Sequence, residues 1–247
     1  MTVRARAISA ALAGATLLLG AAALAAPKAP ATGAVTFLAG DATRAAGGKS
    51  EKLAVGAAVQ EGDVLETQRR SRLEVKLADG SVLRVGPSSR MEVSAAAFGR
   101  TVEERKVSAT LVVGKVWANV AKAVGGEQRF EVKTENAVAG VRGTTFRVDA
   151  ATDRSVVVKV YSGTVAVASG AVPSAEHQGE PKDGKPERRQ IAGPQQVSRE
   201  QWEKIVSNMM EVRVSSEGVP SEPASFALAG PGQDEWEEWN RSRDAAR

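Results

Sequence analysis

Residues 130–148 read FEVKTENAVAGVRGTTFRV, and this stretch decides the class of fold. Apolar and charged side chains alternate over residues 130–133 and again over residues 146–148. Period-two alternation is typical of a strand with one buried face. Between the two runs, small residues include Gly140 and Gly143, and glycine adopts backbone conformations that strain other residues. The stretch therefore predicts two strands joined by a tight, small-residue turn.

The same alternation recurs on both sides of this unit. It is clear in residues 73–77, 107–113 and 156–160, and Asp79-Gly80 is a strong signal for a hairpin turn. We expect a further turn at Gly114-Lys115. Aromatic residues make up only 4% of the chain, so the core must be built mainly from valine, leucine and alanine, a composition that favours strands here. The prediction is an all-β fold, a sandwich or a stack of hairpins with about ten to thirteen short strands.

Several motifs in this order resemble the FecR domain family. A Gly-Asp turn precedes a strand ending in threonine in residues 56–67, and a strand, Asp-Gly-Ser turn and second strand follow in residues 73–93. The resemblance extends from Val35 to Ala168. It implies a stacked-hairpin β domain that binds proteins and not a catalyst. The residues that match or surround the centre of the family pattern are Thr134, Gly140, Arg142, Gly143, Thr144 and Phe146.

We interpret these central residues as structural. The glycines shape the backbone, Arg142 is expected to bond carbonyl groups of neighbouring strands, and the hydroxyls of Thr134 and Thr144 are expected to be incidental to their β-branched shape. The alternative is a phosphate cradle made by the amides of residues 140–144. However, this run opens into a strand and lacks the Gly-Lys-Thr ending of a P-loop, so a turn or bulge is favoured.

The amino terminus predicts export. Arg4 and Arg6 precede an apolar run over residues 7–22, and Ala23-Leu24-Ala25 fits the small-x-small cleavage rule. We therefore expect residues 1–25 to be a signal peptide and the mature protein to be periplasmic or extracellular. The alternative is a retained anchor, because the apolar segment is about long enough to span a bilayer.

The remaining chain divides by composition. The predicted segments are a linker at residues 26–33, a FecR-like β domain at 34–169, a flexible spacer at 170–197 and a helical or extended appendage at 198–247. Within the appendage, apolar residues at helical spacing predict a helix over residues 199–210. A capping pair, Asp234 with Glu237, predicts a second, short terminal helix that carries Trp236 and Trp239 on one face.

The sequence offers little for catalysis. The chain has no cysteine, and its single histidine, His177, lies in the predicted spacer. These facts argue against a thiol nucleophile, a histidine triad and a histidine metal cluster. Asp63 and Asp79 lie beside glycines, where aspartate commonly bonds local amides. We therefore predict no catalytic, metal or cofactor site. Removal of the signal peptide leaves a nearly balanced charge, so we expect no nucleic-acid partner.

Two surface features could bind a partner. Arg69, Arg70 and Arg72 form the densest basic cluster, which could meet an acidic protein or an anionic glycan, although a solvated turn is favoured. Trp236 and Trp239 could anchor a partner or stack on sugar rings, although docking of the terminal helix onto its own domain is favoured.

The resemblance implies a function in regulation. Classical members of the family carry a cytoplasmic anti-sigma segment, a transmembrane helix and a periplasmic FecR domain. Because only six residues precede the apolar run, we expect no such cytoplasmic segment here. The preferred hypothesis is a non-enzymatic, exported protein-interaction module of the cell envelope, with a role in signalling left open. The alternatives are an envelope scaffold that binds glycan or peptidoglycan and, more remotely, a hydrolase.

Overall fold

The computed structural model describes residues 32–98, 105–122, 129–170 and 203–247, and within them the chain forms seventeen strands and one helix. In chain order these are β1 Gly33–Ala39, β2 Ala42–Ala46, β3 Lys49–Lys52, β4 Ala58–Val59, β5 Val64–Thr67, β6 Arg72–Leu77, β7 Val82–Val85, β8 Arg90–Phe98, β9 Arg105–Asn119, β10 Arg129–Lys133, β11 Ala137–Val141, β12 Thr145–Ala150, β13 Val156–Ser162, β14 Thr164–Ser169, β15 Glu203–Ser207, β16 Met210–Val214, β17 Ala224–Ser225 and α1 Glu235–Ala245. The predicted all-β class with a short carboxy-terminal helix is confirmed.

The strands form two sheets that share β9. Sheet I has the order β4-β1-β6-β7-β9-β12-β13-β16-β17. Sheet II has the order β3-β2-β5-β8-β9-β10-β11-β14-β15. Among the described strands, only β9 and β10 pair in parallel. Strands β15 to β17 extend both sheets beyond residue 169, where the β domain was predicted to end.

The long strand β9 joins the sheets at Gly114. Its first part pairs with β8 and β10 in sheet II, and its last part pairs with β7 and β12 in sheet I. Gly114 has φ +104°, and an added Cβ would lie 2.1 Å from Ser89 Oγ. Only glycine fits this bend. The turn predicted at Gly114-Lys115 is therefore wrong, because the chain bends there but continues as one strand.

The opening stretch also folds differently from the prediction. Residues 137–141, read as a turn, form strand β11, which pairs with β10 in sheet II. The chain then crosses to sheet I as β12. The sequence does not reveal this strand because its core-facing positions hold small residues. Ala137 and Ala139 are nevertheless buried, as larger apolar residues would be. The two runs are thus not one hairpin but belong to different sheets.

A single apolar core fills the space between the sheets. It consists mostly of valines, leucines and alanines, as the composition predicts. Phe130 of sheet II and Phe146 of sheet I are its two fully buried phenylalanines. Both ends of the opening stretch therefore do face the core, although from opposite sheets.

The helix predicted over residues 199–210 is wrong for the described residues 203–210. These form β15 and the start of β16, and β15 pairs with β14 over five residues. An exposed strand edge supplies backbone hydrogen bonds to every second residue, and β-branched Ile205 and Val206 suit that position. Tertiary pairing overrides the helical spacing. The signal peptide, residues 26–31 of the linker and the spacer from residue 171 onward lie outside the described residues.

The one described helix is short and polar. No helix among the described residues has the length and apolar character needed to cross a bilayer.

Candidate functional site

One row of side chains crosses the outer face of sheet I, the face directed away from the core. Seven strands contribute one residue each, and every neighbour in the row is a direct cross-strand partner. From β1 to β16 the row consists of Phe37, Glu74, Arg84, Trp117, Arg147, Lys159 and Glu211. We call this set the outer row.

The outer row is buried at its centre although it is polar. Glu74 is 4% exposed, Arg84 0% and Arg147 4%. Alternation within a strand predicts that such charged residues face solvent. They are buried because helix α1, which we call the clasp helix, lies across this face.

The clasp helix begins with ordinary capping chemistry. The Asp234 side chain accepts a hydrogen bond from the amide of Glu237 at 3.0 Å, as the capping pair predicted. Acidic residues occupy the first turn and Arg243 the last, which complements the helix dipole. The helix is therefore locally well specified. Its position on the sheet depends on contacts with the outer row.

Glu74 is the centre of the first ion-pair group. Its carboxylate accepts hydrogen bonds from Arg84 Nε at 2.7 Å, Arg243 Nε at 2.9 Å and Thr36 Oγ1 at 2.7 Å. Burial on its own raises the pKa of Glu74. The hydrogen bonds from Arg243, Arg84 and Thr36 outweigh it and lower the pKa from 4.5 to about 2. Glu74 is thus held as a carboxylate between one arginine of the sheet and one of the helix.

Arg84 connects Glu74 to the last turns of the clasp helix. Its Nη1 atom lies 2.8 Å from Asp244 Oδ1 and 3.3 Å from the carbonyl oxygen of Asn240. Trp117 Nε1 donates to the other carboxylate oxygen of Asp244 at 2.9 Å. Neighbouring residues of the outer row therefore bind one helix carboxylate together.

Arg147 is the centre of the second group. Its guanidinium makes a two-point contact with Asp149, at 2.7 Å for both bonds, and donates to the helix cap Asp234 at 2.6 Å. Burial acts to lower the pKa of Arg147, but hydrogen bonds and charge from Asp149 and Asp234 outweigh it and raise the pKa above its ordinary value. Burial likewise acts to raise the pKa of Asp234, yet the hydrogen bond from Arg147 lowers it overall. The start of the helix is thus bound to the sheet by charge.

Tyr161 lies between the two groups. Its hydroxyl donates to Glu237 Oε2 at 2.9 Å, and its ring lies 4.3 Å from that of Trp117. Burial first, and then the Glu237 carboxylate, raise the pKa of Tyr161. Glu237 is itself 1% exposed and also accepts from the amide of Ala229 at 3.0 Å.

The tryptophans provide the apolar part of the contact. Trp236 is 4% exposed and lies against Gly86, where an added Cβ would come within 3.2 Å of the indole ring. Trp239 stacks on Trp236 with ring centres 5.2 Å apart and lies 5.3 Å from the ring of Phe37. The guanidinium of Arg243 lies 5.3 Å from the Trp239 ring. The tryptophan pair therefore faces the molecule's own sheet.

The predicted basic cluster is divided by the fold. Arg69 and Arg70 are exposed in the turn between β5 and β6. Arg72 instead lies 5.5 Å from the centre of the Trp239 ring and 3.5 Å from the Glu235 carboxylate. The structure thus brings Arg72, Trp236 and Trp239 together at the clasp helix and leaves Arg69 and Arg70 at the surface.

The central family motif runs from the end of β10 through β11 in sheet II to β12 in sheet I. Gly143 has φ +59°, whereas Gly140 lies within β11 and its added Cβ would meet only a carbonyl oxygen, at 3.9 Å. Backbone freedom is therefore needed at Gly143 and not at Gly140. Arg142 is exposed, and Phe146 is buried in the core.

The threonine hydroxyls of this motif are not incidental, contrary to the prediction. Thr134 Oγ1 accepts from the amide of Ala137 at 3.0 Å, and Thr144 Oγ1 lies 3.1 Å from the carbonyl oxygens of Arg142 and Thr164. Both threonines are buried and close the connections between strands.

The carboxylates of Asp63 and Asp79 hold turns, as predicted. Asp63 accepts from the amide of Gln60 at 2.8 Å, and Asp79 accepts from the amide and hydroxyl of Ser81. Across the described part of the chain, no group of three or more histidine, cysteine, aspartate or glutamate residues is placed to hold a metal ion.

A groove of about 840 Å³ lies beside the clasp helix. Its floor includes Trp117 and Tyr161, and its walls include Leu228 of the preceding segment and Arg241 of the helix. The groove therefore borders the outer row where the helix leaves room.

Sequence reasoning missed the charged centre of this site. Glu74, Arg84 and Arg147 each alternate with core residues and so resemble ordinary solvent-facing positions. The only available signal is that three strands carry charges at alternate positions. Strand order and register, which the sequence does not state, are needed to place them in one row.

The fold and site define a two-sheet β protein whose polar face holds its own terminal helix. Residues 63–166 match the model of the family described as FecR protein. This match confirms the predicted resemblance over residues 63–166.

Solved structures show a more distant likeness. Two crystal structures of a candidate anti-sigma factor from Parabacteroides distasonis align at 16% and 18% identity, both with a TM-score of 0.44. The alignments cover 66% of this chain and 59% of the other, so this chain spans about three fifths of the length of those it matches. No curated protein matches the sequence.

Proposed function

We propose that this chain is an exported, non-enzymatic module of the cell envelope that acts in regulation by binding another protein. One observation carries the proposal: the outer row of sheet I already binds a helix, the clasp helix, through ion pairs and tryptophans. The family match supports a regulatory role. Asp63 and Asp79, the carboxylates beside glycines, hold turns.

Export is the first part to test. We expect the mature protein to begin at Ala26 and to be recovered from the periplasm or the medium. Mass spectrometry of the amino terminus, combined with cell fractionation, measures both. An intact Met1 in a cytoplasmic fraction would refute export, whereas an intact terminus in the membrane fraction would indicate a retained anchor.

Protein binding is the second part. We expect crosslinking of the tagged full chain in its own cells to capture one envelope protein reproducibly, and the purified pair to bind with a measurable affinity. The matched control is a chain carrying Arg69→Ala and Arg70→Ala, which removes the exposed basic pair without touching the clasp helix. Unchanged binding would show that this pair is not the contact, and the absence of any purified pair would overturn the proposed function.

The glycan alternative has less support from the site. Stacking on sugar requires an open aromatic face. Trp236 is buried, and Trp239 lies between Trp236, Phe37 and arginines. Sedimentation of the full chain with purified peptidoglycan sacculi tests this alternative directly, and saturable co-sedimentation would favour it over protein binding.

A further inference from the structure

The contact between the clasp helix and sheet I is largely electrostatic. Asp234, Glu237, Arg243 and Asp244 of the helix segment all bond to residues of the sheet. Beyond the aliphatic parts of these side chains, apolar contact comes from the two tryptophans. Permanent intramolecular packing relies mainly on apolar area, as the core between the sheets does. This composition suits a surface from which the clasp helix can dissociate, because charged side chains regain hydration on exposure.

Two buried donors at this contact have no partner. Arg84 Nη2 and Trp236 Nε1 are both buried and make no hydrogen bond in the structure. An unpaired buried donor costs about 1–3 kcal/mol. Arg84 belongs to the outer row, so the clasp helix leaves one donor of the row unpaired, and a different occupant could pair it. Trp236 belongs to the clasp helix, so its Nε1 regains water when the helix leaves.

The connection to the helix permits release. After Phe226, whose amide still bonds Met209, residues 227–233 contain Gly230, Pro231 and Gly232. Gly232 has φ +75°, and an added Cβ there would meet nothing within 4 Å. Rotation in this segment can move the helix away without breaking any strand pairing.

An isolated helix of this length is marginal in water, so the clasp helix is stable chiefly while docked. A short connection holds it near the outer row at an effective concentration on the order of millimolar. The same helix from a second copy of the chain makes identical contacts and cannot compete at micromolar concentration. A helix with additional contacts can compete, and the adjacent groove of about 840 Å³ offers the place for them.

We propose that the outer row of sheet I is the recognition surface for an amphipathic helix of a partner protein, and that the clasp helix occupies it until that partner displaces it. The partner helix carries two aromatic side chains one turn apart, then an arginine for Glu74 and a carboxylate for Arg84 and Trp117. This inference rests on the proposed function insofar as the chain binds a protein, and it names that partner's chemistry.

The test uses a fluorescent peptide of residues 232–247 as the probe and the full chain as the receptor. Arg243→Ala in the chain weakens its own helix but leaves the outer row intact. We expect the wild-type peptide to bind this variant about tenfold more tightly than it binds the wild-type chain, because competition from the chain's own helix falls. Fluorescence anisotropy measures the binding.

Three controls make the result specific. Arg241→Ala changes an arginine that is 42% exposed at its side chain, and it should leave peptide binding unchanged. A peptide carrying R243A should lose the gain, because it lacks the arginine for Glu74. Adding Glu74→Ala to the Arg243→Ala chain should abolish the gain as well. Trp239→Ala is a second variant that weakens the chain's own helix, should Arg243→Ala fold poorly.

Other outcomes overturn the inference. Equal peptide binding by all chains would show nonspecific adhesion, and no binding to either weakened chain would show that the row accepts its helix only within the folded chain. A dimer of the Arg243→Ala chain by light scattering would assign the row to a second copy. The peptide test needs no export and no envelope protein, so its failure is distinguishable from failure of the proposed function.

Discussion

The outer faces of the two sheets differ in what covers them. On sheet I, the charged residues Glu74, Arg84 and Arg147 are almost completely buried under the clasp helix. On sheet II, the outward-facing Val112 and Ile205 are both 56% exposed. Polar residues are thus buried on one face while apolar ones are exposed on the other. The comparison teaches that burial on these faces follows the docked helix and not the hydropathy of each strand.

The largest expected effect comes from removing a buried charge of sheet I. Arg84→Ala leaves Asp244 without its arginine and removes one of the two arginines from Glu74, so we expect a loss of about 3–5 kcal/mol in the free energy of unfolding. The matched variant on sheet II is Arg90→Ala, whose side chain is 53% exposed and lies 3.0 Å from Glu66. It should cost less than about 1 kcal/mol. Urea unfolding measures both, and equal losses would erase the distinction between the faces.

Truncation of the buried tryptophan should have a similar or slightly smaller effect. Trp236→Ala removes a ring that fills the space against Gly86, and large-to-small changes of this kind cost about 3 kcal/mol or more. Ile205→Ala on sheet II should change stability by less than about 1 kcal/mol because the side chain is largely exposed. Thermal unfolding of the two variants provides the comparison. A small effect of Trp236→Ala would mean that the clasp helix contributes little to the stability of the fold.

Low pH should weaken the ion pairs that Glu74 makes with Arg84 and Arg243. The pKa of Glu74 is lowered to about 2 in the folded chain, against 4.5 in the unfolded chain. Its contribution to stability is therefore fully present above about pH 4.5 and is lost as the pH falls toward 2, on the order of 2 kcal/mol in total. The difference in unfolding free energy between the wild type and Glu74→Gln should shrink over this range. A difference that stays constant from pH 5 to pH 2 would contradict the ion-pair assignment.

The smallest expected effects come from two glycines, one in β11 of sheet II and one in the turn that leads to β12 of sheet I. Gly143→Ala forces an alanine to φ +59° and places its Cβ 2.5 Å from Lys122 Cγ, so we expect a loss of about 1 kcal/mol. Gly140→Ala meets only a carbonyl at 3.9 Å within β11 and should be neutral or slightly stabilising. Chemical denaturation resolves the pair. A larger loss at Gly140 would show that close approach in sheet II, and not the turn, needs glycine.

Much of the fold was predictable because alternation is a local property. Residues 73–77 and 156–160 read as strands and are strands, and Asp79-Gly80 turns between β6 and β7. The two misassigned segments share a cause, which is strand pairing that local spacing does not record. Residues 137–141 look like a turn yet pair with β10 and β14, and residues 203–207 have helical spacing yet pair with β14.

The site was predictable only in its parts. The capping of the terminal helix at Asp234 and the shared face of Trp236 and Trp239 are visible in the sequence. Their partners are not, because Glu74 precedes Arg243 by 169 residues and nothing local connects them. Alternation states that Glu74 faces away from the core but not that a helix covers it.

By itself, the sequence determined the all-β class, the family resemblance and the presence of a capped terminal helix, because each depends on spacing within a few residues. Only the tertiary structure decided which strands pair, where β9 crosses between the sheets, and that one residue from each of seven strands, five of them charged, forms a row on the face where that helix docks. The physical reason is that register and docking depend on contacts between residues far apart in the chain, whose energies no local pattern records.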